Sequence, residues 1–130
     1  MSDTPEDTAE APPAAVSSCP AIERLRERAD FLAAARGRSK GTAGFHLQAR
    51  RRPGGEGPAR VGFTCSKKVG NAVARNRAKR RLREIARLEL PAHGRPGWDY
   101  VLIGRRTATD VTPFAQMRAD LAAALAEVHR

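Results

Sequence analysis

The stretch Arg60–Pro91, RVGFTCSKKVGNAVARNRAKRRLREIARLELP, changes its period once, and that change decides the fold. RVGFTCS is an apolar run of strand length, and Gly70-Asn71 interrupts it. From about Ala72 to Leu90 apolar residues return at helical spacing, and Pro91 closes the pattern. Stepping 100° per residue from Ala74 gathers Ala74, Ala78, Leu82, Ile85 and Leu88 in one arc, a stripe for packing on a sheet. Lys79, Arg83, Asn76, Arg87 and Arg80 fall within about 100° on the far side. Arg75 and Arg77 project near the boundaries. Arg81 lies closer to the apolar side, where a long side chain is expected to snorkel or to pair with an acid.

On the N-terminal side, GFHLQARRR alternates in character and is followed by the turn-rich PGGEGPAR. This predicts two strands, GFHLQARRR and RVGFTCS, joined by an exposed hairpin loop. Before them, AIERLRERADFLAAARGR carries Ile22, Leu25, Ala29 and Leu32 at helical spacing with Gly37 as a stop, so at least its second half is read as helix. On the C-terminal side PAHGRPG is a loop and WDYVLIGRR a largely buried strand. Thr112 is expected to cap a last helix with Pro113 at its first position, and Phe114, Met117, Leu121, Ala124, Leu125 and Val128 form its apolar stripe. Helix, strands, helix, strand, helix is the order of an α+β or α/β sandwich with one mixed sheet.

Residues 1–20, MSDTPEDTAEAPPAAVSSCP, hold four acids and no base, and are expected to be a disordered acidic tail rich in Pro and Ala. Residues 21–130 then form one domain, of a size that supports a modest core. That domain carries all 24 Lys and Arg against ten acids, a formal +14. So positive a balance calls for a polyanionic partner, either nucleic acid or an anionic membrane surface. No apolar run approaches the roughly 18 to 20 residues that span a bilayer, and the N-terminus lacks the order of a signal peptide, so a cytoplasmic protein without a membrane partner is expected.

Nine Lys or Arg crowd Lys67–Arg87. Glu84 and Glu89 are too few to neutralise them, and Arg75, Lys79 and Arg83 repel one another at i,i+4. External anions resolve that conflict. Arginine outnumbers lysine 20 to four, and guanidinium forks bind phosphate bidentately and stack on bases, as RNA requires. Asn71 stands near the helix N-terminus, where free amides favour phosphate. An autonomous nuclease has little support, because His46, His93 and His129 are scattered, with no paired carboxylates, Cys-His couple or metal-binding cluster; His93 and His129 read as surface residues. Cys19 and Cys65 make neither a disulfide framework nor a metal site. A ribosomal protein or general RNA chaperone fits the composition as well.

The order S-K-K, V-G-N-A-V, R-N-R distinguishes these readings. RVGFTCSKKVGNAVARNRAKRRLREIAR resembles the protein subunit of bacterial ribonuclease P, with weaker similarity from about residue 24 to residue 128. The resemblance implies an α-β-β-β-α-β-α sandwich with a mixed central sheet, the basic helix forming a left-handed β-α-β crossover. It also implies a short first helix, roughly Ala29 to Arg36, after an extended lead-in through Leu25.

It further implies that the RNA subunit, not the protein, hydrolyses precursor tRNA at the mature 5′ end. Mg²⁺ is then held chiefly by RNA and substrate and none by the protein alone, with one protein per RNA. The residues implied to bind the ribonuclease P RNA are Lys67, Lys68, Asn71, Arg75, Asn76, Arg77, Lys79, Arg80, Arg83 and Arg87. A cleft for the single-stranded 5′ leader is implied at Phe31 and Phe45, with Arg36, Arg38, Lys40 and Arg50. Ala35 and Gln48 depart from the family, standing where relatives often carry aromatic residues.

Overall fold

A computed structural model describes residues 22–130, and the tail assigned to residues 1–20 lies outside the described residues. The strands are β1 (Ile22–Arg24), β2 (Arg38–Gly41), β3 (Phe45–Arg51), β4 (Ala59–Thr64) and β5 (Trp98–Gly104). The helices are α1 (Arg28–Ala35), α2 (Ala72–His93), α3 (Ala108–Val111) and α4 (Phe114–Val128), with a 3₁₀ turn at Lys67–Val69. One mixed sheet runs in the order β1-β4-β5-β3-β2, giving an α+β fold. β1 and β5 flank β4 in parallel, while β3 pairs antiparallel with both β5 and β2.

The composition of β5 explains its central place. Tyr100 and Leu102 face the main core, where Phe45, Leu47, Ala49 and Val61 of the sheet meet Leu82, Ile85 and Leu90 of α2 and Met117, Leu121 and Leu125 of α4. Val101 faces the other way, joining Leu25 and Ala34 with Phe31 and Ile103 at their edge. A strand apolar on both faces needs cover on both and neighbours on either side. α1 is the cover on the second face, and at eight residues it leaves much of that face open.

Three expectations are corrected and one is borne out. First, β3 and β4 are not a hairpin, because β5 lies between them. Two strand spacings are about 10 Å, and the loop between β3 and β4 crosses that gap pinned from within by Arg52. The Arg52 guanidinium donates to the carbonyls of Glu56 (2.7 Å), Pro58 (2.6 Å) and Trp98 (3.2 Å) and to Asp99 Oδ1 (2.5 Å). Second, the extended lead-in implied before α1 is borne out as a strand, with Ile22, Glu23 and Arg24 in register with Ala59, Arg60 and Val61.

Third, Thr112 does not cap the last helix. It ends α3, a single turn that periodicity alone does not reveal, and its hydroxyl donates to the Ala108 carbonyl (2.7 Å); Pro113 then occupies the cap position of α4. Fourth, α2 runs through Pro91 to His93. Proline so near a helix end forfeits one hydrogen bond without breaking the rest.

His129 is likewise no free surface group. Its Nε2 shares a hydrogen bond with the Tyr100 hydroxyl (2.7 Å), which accepts from the Arg95 amide (2.8 Å), and its ring lies edge-on to Trp98 at 4.4 Å. Burial, aided by the charges of Arg95 and Arg38, lowers its pKa from 6.5 to about 4. The unfolded chain therefore protonates first as pH falls. The His129 contribution to stability is complete above about pH 6.5 and is lost as pH drops towards 4. Urea midpoints should fall between pH 7 and pH 5 in the native chain and fall less in His129→Gln.

Candidate nucleic-acid interface

The S-K-K-V-G-N sequence is two caps in series. Ser66 Oγ accepts from the Lys68 amide (3.2 Å) and starts the 3₁₀ turn. Gly70 then adopts a φ of 146°, which side chains disfavour. Asn71 Oδ1 accepts from the Ala74 amide (2.9 Å) and starts α2. The chain thus turns from the end of β4 into a 22-residue helix, leaving Lys67 and Lys68 exposed at the corner.

The buried stripe of α2 is Ala78, Leu82, Ile85, Ala86, Glu89 and Leu90. Ala74 and Leu88, expected in that stripe, are half-buried, so the packing face is rotated slightly from the predicted arc. Asn76, Arg80, Arg83 and Arg87 are exposed on the opposite face and Lys79 is half-buried beside them.

Ion pairs sort the cations. Arg77 Nε donates to Asp110 Oδ1 of α3 (2.7 Å), a partner 33 residues away. Arg87 pairs with Glu84. Glu89 turns away from the basic face, accepting from Arg118 of α4 (2.6 Å). Arg75 reaches back to the Gly70 carbonyl (3.4 Å). Arg81 snorkels as expected, donating to the Thr112 carbonyl and lying 3.4 Å from the Met117 sulfur. Among the described residues, no acid pairs with Lys67, Lys68, Lys79, Arg80 or Arg83. With Arg75, whose bond to a carbonyl leaves its charge uncompensated, these five form the unneutralised surface.

The second candidate surface is the sheet face under α1. Pairing registers put His46, Gln48 and Arg50 of β3 beside Ile103, Val101 and Asp99 of β5, and those beside Thr64, Gly62 and Arg60 of β4. Phe31 lies across Gly62, where an added Cβ would meet two ring carbons at 2.5 Å. Arg36 and Arg50 converge with Ala33 and Gly37 on a pocket of about 250 Å³ at the end of α1.

The remaining residues assigned to this cleft lie elsewhere. Phe45 is 0 % exposed within the main core, on the far face of the sheet from α1, so its ring is not available for stacking. Arg38 and Lys40 are in register with Ala49 and Leu47, which point to that same far face. Arg38 donates to the Val128 and Arg130 carbonyls (2.7 Å each) and so closes the C-terminal end of α4.

Gly62→Ala is expected to cost about 1–2 kcal/mol in urea unfolding, as overpacking does. The cost should shrink when Phe31→Ala is added, because the clash is with that ring.

Two cations that the sequence pattern did not single out continue this surface. Arg105 and Arg106, just after β5, join Ser66 and Lys68 around an open pocket of about 630 Å³. Burial and the Arg105 charge lower the pKa of His46 beside them, which favours its neutral form. The signal was legible as two arginines following a buried strand, since crevices form at the carboxyl ends of parallel strands.

No group of three or more His, Cys, Asp or Glu side chains is gathered among the described residues. No described helix is long and apolar enough to cross a membrane.

Known proteins share this architecture and sequence. A family model described as Ribonuclease P matches residues 19–129. The ribonuclease P protein component of Ruegeria pomeroyi is 61% identical over 120 residues, covering 90% of this chain and 96% of that protein. That of Caulobacter vibrioides is 50% identical over 104 residues, covering 80% and 69%. Among solved structures, the RNase P protein of Staphylococcus aureus superposes with a TM-score of 0.64 at 31% identity, covering 82% of this chain and 97% of that one. The Thermotoga maritima RNase P protein gives 0.63 at 31% identity, covering 78% and 93%.

Proposed function

Because the chain belongs to the family of bacterial ribonuclease P protein components, we propose that it serves that enzyme as a non-catalytic clamp with two surfaces. The exposed face of α2, with Lys67 and Lys68 at its head, docks on the ribonuclease P RNA. Asn71, Arg75, Asn76, Arg77, Lys79, Arg80, Arg83 and Arg87 belong to this face in the reading. The face of the sheet beside α1 receives the single-stranded 5′ leader of precursor tRNA, with Phe31 offering a ring and Arg36, Arg50, Arg105 and Arg106 offering charge.

The single observation that carries the reading is the cluster of cations without acid partners on α2, ordered by two caps at the end of β4. A helix face of uncompensated like charges is unfavourable alone and favourable against phosphate. In this account the cleavage chemistry and its Mg²⁺ belong to the RNA and its substrate, and one protein binds one RNA.

The two-surface division predicts a dependence on leader length. The reconstituted enzyme should bind precursor tRNA more tightly as the leader grows by several nucleotides, whereas mature tRNA should gain nothing from the protein. Equal affinity for substrates with and without a leader would remove the second surface from the account.

A further inference from the structure

Between α2 and the start of α4 lies a groove of about 330 Å³ lined by Arg77, Arg80, Arg81, Glu84 and Phe114. From it we propose a nucleobase socket: one unstacked base of the ribonuclease P RNA inserts between α2 and α4 and stacks on Phe114. This rests on the reading that the α2 face binds RNA, and it specifies what that face holds besides phosphate.

The lining has the chemistry of a base site. Phe114 is the first residue of α4, half-buried, with one side against the main core and the other on the groove. Three polar walls are fixed by partners outside the groove: Arg77 by Asp110, Arg81 by the Thr112 carbonyl, and Glu84 by Arg87. Arg80 is exposed, and no described acid pairs with it.

A phosphate alone would need no aromatic wall. An apolar partner would be poorly served by three guanidinium groups. A base presents a flat π face for Phe114 and amino groups for the Glu84 carboxylate, and its own backbone brings phosphate to Arg80 on the exposed rim. Because the fixed side chains already hold their positions, little order is lost when the base enters.

The test is equilibrium binding of the full chain to ribonuclease P RNA over a range of salt, with three variants and thermal unfolding of each. Phe114→Leu keeps an apolar side chain in the core but removes the π face. It should weaken binding about 5- to 150-fold, the equivalent of one stacked base, with an unchanged salt slope. Phe114→Tyr, which restores the ring, should bind as the native chain does. Arg80→Ala should lower the log-log salt slope by about 0.7 to 0.9.

If Phe114→Leu binds like the native chain while Arg80→Ala shows its slope change, the socket is wrong and the RNA face stands. If neither variant changes anything, the face itself is misplaced and the socket falls with it. If Phe114→Tyr loses as much as Phe114→Leu, the residue acts through packing and the socket is overturned.

Discussion

Replacing Lys79, Arg80 and Arg83 together by alanine is expected to flatten the salt dependence of binding to ribonuclease P RNA by about 2 to 3 in log-log slope. Each phosphate left without its cation removes roughly 0.7 to 0.9, because one fewer set of counter-ions is released. Between 50 and 200 mM salt the native chain should therefore lose roughly 20- to 40-fold more affinity than the triple variant. Arg77→Ala should change the slope less, since Asp110 already neutralises that guanidinium at 2.7 Å. Loss of fold does not account for such a result. These side chains are exposed or half-buried, and removing the like charges of Lys79 and Arg83 at i,i+4 relieves repulsion along α2. The triple variant should be at least as stable as the native chain at low salt, measured by urea unfolding.

Asp99→Ala should give the largest loss of stability, about 3–5 kcal/mol in urea unfolding, as expected when one member of a buried ion network is removed. Asp99 is 0 % exposed in the centre of the sheet. Arg60 grips both its oxygens, at 2.8 Å and 2.7 Å, and Arg52 reaches Oδ1 at 2.5 Å. Arg60 also pairs with Asp30 of α1 at 3.4 Å, so the same carboxylate ties down the helix that carries Phe31. Removing it takes the main counter-charge from two guanidinium groups that are mostly withdrawn from water, leaving Arg60 the longer contact to Asp30 and Arg52 its backbone carbonyls. Adding Arg60→Met to Asp99→Ala should recover part of the loss, since it removes a guanidinium left with only the longer contact to Asp30. Burial by itself would raise the Asp99 carboxyl, but the hydrogen bonds and charges of Arg60 and Arg52 outweigh it and hold the group below its usual value. Its contribution is therefore present at neutral pH and disappears as pH falls through the folded-state value.

The parts of this fold that were legible in the sequence are those written in local periodicity. The α2 stripe, the doubly apolar β5 and the stripe Met117, Leu121, Leu125, Val128 all follow from spacing within one element. The S-K-K-V-G-N part of the family order also has a local cause, a cap at Ser66, a 3₁₀ turn ended by Gly70 and a second cap at Asn71. What failed depended on pairing between elements. The Arg52–Pro58 loop suggested a hairpin, because the arginine that spreads it over the start of β5 bonds to partners up to 47 residues away. Arg38 and Lys40 were placed on the wrong face because a side-chain direction in β2 needs its register with β3. Phe45 was different, since its signal was present. It alternates in phase with Leu47 and Ala49 and out of phase with His46, Gln48 and Arg50, the pattern of a core position. Arg77 was placed near the boundary of the basic face and assigned to RNA binding, and only the packing of α3 against α2 reveals Asp110 as its partner.

Cleavage of precursor tRNA by the purified protein, by ribonuclease P RNA, and by the two together at low Mg²⁺ tests the central claim most directly. The account predicts no cleavage by protein alone, little by RNA alone, and accurate cleavage at the mature 5′ end by the mixture, with the Lys79, Arg80 and Arg83 triple variant failing to stimulate. Site-specific cleavage by the protein without RNA, or full stimulation by the triple variant, would contradict it.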